Sequence, residues 1–223
     1  MATGAPIPMP TSAQILTLSQ WLSPAYPVGA FAYSHGLEQL VESGAVQGYD
    51  RLKRWLEDVL EYGAGASDSL FLAAAFQAKE PSALAEVNAH CLAFAPSKER
   101  LMETELQGAA FCAVTSVTSE IELEHLAYPV ALGRAAALVG MPLPLTIQLY
   151  LQAFASNLVA AGLRLLPLGQ TDGQRLILEL APLLAPIAKR AETGDLNTLS
   201  GTTFLADIAA MQHETQYSRI FRT

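Results

Sequence analysis

The sequence predicts an all-α fold, one compact bundle of roughly ten helices. Three observations carry that expectation. Apolar residues recur at helical spacing along nearly the whole chain. No segment shows the two-residue alternation of a half-buried strand. The 223 residues are 51% hydrophobic and only 15% charged, so the chain can bury a large helix-on-helix core.

The elements follow in order. Residues 1–10 (MATGAPIPMP) are uncharged and Pro-rich and read as a flexible arm ahead of a helical domain over 11–211 and a tail over 212–223. Ile15, Leu18 and Leu22 start an apolar face that ends at Pro24. A short helix over 38–43 stops at Gly44. Asp50 caps a helix with Leu52, Trp55, Leu56, Val59 and Leu60 on one face, and Gly63 and Gly65 break it. Helices over 68–79, 82–94 and 97–115 are parted by Pro81 and Pro96. A segment over 119–138 carries Pro129 near its middle, and a long, very apolar helix begins at Leu143. Thr171 and Gln174 have capping-box spacing, so a helix starts at Asp172 and runs towards Ala191, kinked or split by Pro182 and Pro186. Residues 192–203 read as an exposed loop, and a last helix begins near Phe204.

Composition excludes several classes of function. A formal net charge of −8 disfavours nucleic acid and anionic membranes as partners. Residues 143–163 come nearest to a membrane span. Gln148, Gln152 and Ser156 put a polar stripe along them, which fits a buried central helix better. No secretory leader is visible, and Cys91 and Cys112 read as buried free thiols, so a cytoplasmic location is expected.

The search for chemistry returns little. Gly63 and Gly65 lack the Lys and the spacing of a phosphate loop. His35, His90, His125 and His213 form no helical metal pair, and each reads as a hydrogen-bonded helix or turn residue. Glu99, Glu103, Glu105, Glu120, Glu122 and Glu124 read as solvated helix faces. No nucleophile–base motif is present, so the chain is expected not to be an enzyme and to carry no cofactor.

Three segments stand out instead. Residues 23–38 (SPAYPVGAFAYSHGLE) make a shaped connection rich in Pro, Gly and aromatic residues. In residues 161–177 (AGLRLLPLGQTDGQRLI), Arg164 closes the most apolar helix, where it can bond free carbonyls or meet a partner. In residues 213–223 (HETQYSRIFRT), Tyr217, Ile220 and Phe221 have helical spacing and Arg219 and Arg222 interleave with them. Aromatic residues with Arg are interface anchors, suited to helix-in-groove docking on an acidic partner. The alternative is that this tail folds back onto its own bundle.

Together these segments resemble the UreF family of urease accessory proteins. The matching residues are Ser23-Pro24, Pro27-Val28-Gly29, Phe31 and residues 33–38; residues 163–170 with Gln174; and residues 213–219 with Phe221-Arg222. Lys98-Glu99-Arg100 and Gln107-Gly108 match as well, whereas the Pro-rich start departs from the pattern. The resemblance implies an all-helical, non-enzymatic, cytoplasmic chaperone that can dimerise. It would bridge the accessory protein UreD (also called UreH) and the GTPase UreG while nickel is delivered to apo-urease. Nickel and GTP would be handled mainly by the partners.

By the same resemblance, Tyr217, Arg219, Ile220, Phe221 and Arg222 would dock on UreD/UreH. Tyr33, His35, Glu38, Arg164 and Gln170 would serve UreG recruitment or dimerisation. An alternative makes the chain a GTPase-activating factor that lends Arg164, Arg219 or Arg222 to UreG. A third reading, a small helical hydrolase, would need a pocket lined by Tyr33, His35 and Glu38.

Overall fold

Phe71 and Phe111, both without solvent exposure to speak of, mark the middle of a helical bundle. The computed structural model describes residues 9–223; most of the proposed 1–10 arm lies outside the described residues. Ten α-helices appear there: α1 (Ser12–Trp21), α2 (Leu37–Glu42), α3 (Gly48–Tyr62), α4 (Ala64–Gln77), α5 (Pro81–Ala93), α6 (Lys98–Ser119), α7 (Tyr128–Leu138), α8 (Leu143–Leu165), α9 (Gln170–Ala191) and α10 (Phe204–His213). Short 3₁₀ turns occupy Ala30–Ala32 and Leu196–Thr198. No strand occurs among the described residues.

Two helices form the centre of the bundle: the expected α8, on which α1, α2, α3, α4, α7 and α9 pack, and α4. The latter is apolar or small all round, from Leu70 to Ala75, and α3, α5, α7, α8 and α9 all pack on it. On α8, Gln148, Gln152 and Ser156 are only half-buried, so one side of that helix faces a groove. The face of α3 is as the sequence foretells, with Leu52, Trp55, Leu56, Val59 and Leu60 buried. Around Phe111 the rings of Trp21, Tyr26 and Tyr128 meet at centroid distances of 5.6, 5.8 and 5.9 Å. Such contacts add about 1 kcal/mol each beyond area burial.

Several boundaries differ from the expectation, for local reasons. α3 begins at Gly48, which places Asp50 in the first turn, where its charge meets the positive end of the helix dipole. The break before α4 falls at Gly63 alone, and Gly65 lies inside the helix. α6 runs on to Ser119 and is stopped by Glu120 in the left-handed conformation, φ 53°. The chain is then non-helical to Ala127, and Pro129 sits in the first turn of α7, where its missing N–H is harmless. α9 starts at Gln170, two residues early, because the Asp172 carboxylate reaches back to accept the Gly169 N–H at 3.1 Å. Pro182 and Pro186 do not split α9. Both lie on its exposed side, so the carbonyls they leave unbonded can be hydrated.

The tail beyond α10 is not helical. Its course over the bundle defines the site described next.

Candidate functional site

The connection between α1 and α2 reverses direction through three residues with positive φ: Gly29 (74°), His35 (56°) and Gly36 (78°). Gly36 is required on two counts. Its φ suits glycine, and a Cβ there would lie 2.7 Å from the Ala210 nitrogen on α10. His35 pays no such steric exemption; its imidazole is held instead by the face of α6.

That face is a stripe of every fourth residue: Glu99, Glu103, Gln107, Phe111 and Thr115, all buried. Glu99 and Glu103 are therefore not on a solvated face as expected, whereas Glu105, Glu120, Glu122 and Glu124 are exposed. The signal was present in the sequence, because the same four-residue register carries Phe111 and Thr115 into the core.

Glu103 is the first hub. Its carboxylate pairs with the Arg100 guanidinium, accepts the Gln107 side-chain amide at 2.8 Å and lies 3.1 Å from His35 Nε2. Burial alone would push this carboxyl up, but Arg100 and then His35 outweigh it and hold it at about 2. Burial, and then Arg100 with Nη1 2.6 Å from Nε2, pushes the His35 imidazole below its ordinary value and favours its neutral form.

His213 is the second hub, at the end of α10 and without solvent exposure. Its Nδ1 lies 2.7 Å from Glu99 Oε2 and its Nε2 3.2 Å from Glu38 Oε2. Arg219 donates to the other Glu99 oxygen at 2.6 Å. Glu38 also accepts the main-chain N–H groups of Ile220 and Phe221, at 2.7 and 2.9 Å.

The tail thus folds back onto the bundle. Main-chain bonds run from Arg222 to the Ala32 carbonyl (2.8 Å) and from Ser34 to the Thr223 main-chain oxygen (2.9 Å), which the Ser34 hydroxyl also reaches. Phe221 is buried, with the Arg164 guanidinium 5.7 Å from its ring centre. The expected helical docking form is absent because the N–H groups of Ile220 and Phe221 bond to a side chain rather than to a preceding turn.

The structure therefore brings together Tyr33, His35, Glu38, Arg164, Arg219 and Phe221, residues singled out in sequence, with Ser34, Glu99, Arg100, Glu103 and His213, whose place in the cluster was not foreseen. Tyr33, His35 and Glu38 are buried. Arg164 is exposed and donates to the Phe31 carbonyl at 2.9 Å. Gln170 is exposed at the start of α9 and takes no part in the cluster. Tyr217 and Ile220 point outward, 104% and 71% exposed, and Arg222 is exposed too.

Two cavities adjoin the cluster, of about 270 and 540 Å³, and both touch His35, Asp68, Arg100 and Thr104. The larger is the groove of α8, lined by Trp21, Phe31, Gln152 and Ser156. At the shared wall Tyr150 donates to Asp68 at 2.7 Å, and burial pushes both groups up. Cys91, in the smaller cavity, is likewise pushed up by burial, away from a reactive thiolate. No group of three His, Cys, Asp or Glu residues placed to hold a metal, and no helix long and apolar enough to cross a membrane, occurs among the described residues. The cluster's charges bind the tail to α2 and α6 and leave the outward faces of α10 and the tail free.

Comparison with known proteins finds relatives over nearly the whole chain. The UreF family model matches residues 46–181. The chain is 56% identical to urease accessory protein UreF of Ruegeria pomeroyi, over 96% of this chain and 99% of that protein. It is 50% identical to the UreF of Roseobacter denitrificans, over 93% of each chain. Identity to the UreF of a Cereibacter sphaeroides strain is 48%, over 95% of this chain and all of that protein.

Proposed function

The chain belongs to the UreF family of urease accessory proteins, and on that premise we propose that it is a non-catalytic adaptor of urease maturation, bridging UreD/UreH and the GTPase UreG while nickel passes as cargo to apo-urease. In this reading it works in the cytoplasm and needs no cofactor of its own.

The observation that carries the reading is an apolar strip left in solvent. Phe204, Leu205, Ile208 and Met211 share the outer side of α10, each more than half exposed, and Tyr217 and Ile220 stand exposed on the tail that follows it. Exposed apolar surface of that extent marks a place for a protein partner. UreD/UreH docks there, with Tyr217 and Ile220 as the anchors and Arg219, Phe221 and Arg222 fixing the tail's course. Tyr33, His35 and Glu38 support the second surface from within. Arg164, Gln170 and the exposed Phe31 present it to UreG or to a second copy of the chain.

Co-expression with UreD tests the reading. Tyr217→Ala with Ile220→Ala keeps the helical circular dichroism of the wild type and abolishes co-purification. Undiminished co-purification refutes the docking assignment.

One observation favours a second role, activation of the GTPase by a lent arginine. Among the described residues the exposed Arg222 guanidinium has no hydrogen-bond or ion-pair partner, whereas Arg164 and Arg219 are both engaged. Arg222→Ala that slows UreG single-turnover hydrolysis without weakening binding would favour that role.

A further inference from the structure

One side of α6 carries an apolar stripe that is left open to solvent. Met102, Leu106, Ala109, Ala113 and Val117 follow one another at spacings of four, three, four and four residues, which keeps them on one side of the helix. Met102, Leu106 and Val117 are 41%, 46% and 78% exposed, Ala113 is exposed and Ala109 is half-buried. The buried register of Glu99, Glu103, Gln107, Phe111 and Thr115 is a separate set that faces the bundle. The open stripe is about 22 Å long, and the two alanines at its middle let another backbone approach closely.

Charge frames the stripe unevenly. Glu105 lies beside it, and Glu120, Glu122 and Glu124 follow its C-terminal end, all exposed. Ile121 and Leu123, between the last three acids, pack against the core. Among the described residues none of the four acids has an ion-pair partner. The carbonyl end of α6 adds to the negative potential at Glu120. Lys98, the only exposed cation of α6, lies at the opposite end.

We propose that this side of α6 is a docking surface for a basic amphipathic helix of another protein. The apolar side of that helix lies along Met102, Leu106, Ala109, Ala113 and Val117, and Lys or Arg residues at one of its ends meet Glu120, Glu122 and Glu124. Apolar contact supplies the affinity, and the charges fix which way the helix lies. A second copy of the chain suits the surface less, since each copy brings four exposed acids and one exposed lysine to it. The stripe is on a different helix from the α10 strip and does not depend on what docks there.

The test uses the full-length chain and fluorescent helical peptides of about 21 residues, read by anisotropy. The first peptide carries Leu and Ala at the same spacing with lysines near one end. A second has glutamates in place of the lysines, and a third scrambles the order of the first. The first binds, and the other two bind at least about tenfold more weakly. Ala113→Gln with Val117→Gln keeps the helical circular dichroism and weakens the first peptide at least about tenfold. Tyr217→Ala with Ile220→Ala leaves its affinity unchanged, which separates this surface from the one proposed for UreD/UreH. The proposal is overturned by no binding at about 1 mM peptide, by equal binding of the glutamate or scrambled peptide, or by full affinity in the Ala113, Val117 variant. A loss of affinity in the Tyr217, Ile220 variant overturns it as well. So does a wild-type dimer in sedimentation that the Ala113, Val117 variant converts to monomer, because a second copy then holds the surface. If that variant does not fold, peptide-induced amide shifts in the wild type decide. Shifts centred on Ala109 and Ala113 support the surface, and shifts centred elsewhere overturn it.

Discussion

The Glu38 carboxylate accepts the Phe221 main-chain N–H at 2.9 Å, joining positions 183 residues apart. The same carboxylate takes the Ile220 N–H and one side of His213. A single buried acid thus ties the second helix, the last helix and the tail.

Glu38→Gln removes the charge and turns an amide donor towards groups that are themselves donors. The expected loss is about 2 kcal/mol, typical of charged hydrogen bonds left unmade. It should fall on the tail more than on the bundle. Limited trypsin digestion then cuts after Arg219 faster than in the wild type, while the helical circular dichroism is kept. Unchanged cleavage contradicts the role of Glu38.

Acid should unfold the protein in two stages. The fold keeps His35 neutral, whereas the unfolded chain takes up a proton there near 6.5, so stability falls as pH drops below that value. Glu103 stays ionised in the fold down to about 2, whereas the unfolded chain protonates near 4.5, so a second loss begins below 4.5. That second loss is on the order of 3 kcal/mol. Asp68, pushed up by burial, acts in the opposite sense at the acid end. Urea midpoints measured between about pH 7.5 and 2 check the prediction, and a midpoint that rises from about pH 7 to 5 refutes the His35 assignment.

Gly108→Ala tests the approach of α6 to the segment before α7. A Cβ at Gly108 would lie 1.9 Å from the Leu126 carbonyl oxygen and 2.8 Å from the Tyr128 nitrogen, both main-chain atoms that cannot rotate away. The expected cost is about 3 kcal/mol, or about 10 °C in Tm for a chain of this size. Val117→Ala, on the exposed side of the same helix, should stay within about 0.5 kcal/mol.

Much of the helical architecture is legible in the sequence where one face is apolar and the other charged. α3 is the clearest case. α4 is harder because it is buried on all sides, so no face of it is marked by charge. Proline also misleads: Pro129 opens a helix and Pro182 and Pro186 ride on the outside of one, and only packing distinguishes these cases from a break. In the site, the glycine and histidine of the first connection announce themselves, and so does the aromatic, basic tail. Glu99 and Glu103 are marked only by sharing the four-residue register of Phe111 and Thr115, a faint signal because an acidic residue on a helix is usually solvated. Their burial follows from Arg100 on the same helix and from His213 and Arg219 arriving from elsewhere in the chain. Among the tail residues, helical spacing groups Tyr217, Ile220 and Phe221, yet only Phe221 turns inward.

The separation of 182 in sequence between Glu38 and Ile220 also bears on how the molecule assembles. Closing a loop of that length in an unstructured chain costs on the order of 5 kcal/mol of entropy, more than two hydrogen bonds return. Once α10 has settled against α2 and α6, the remaining gap is a few residues and the cost nearly vanishes. Docking of the final segment is therefore a late kinetic event, following the bundle's own formation.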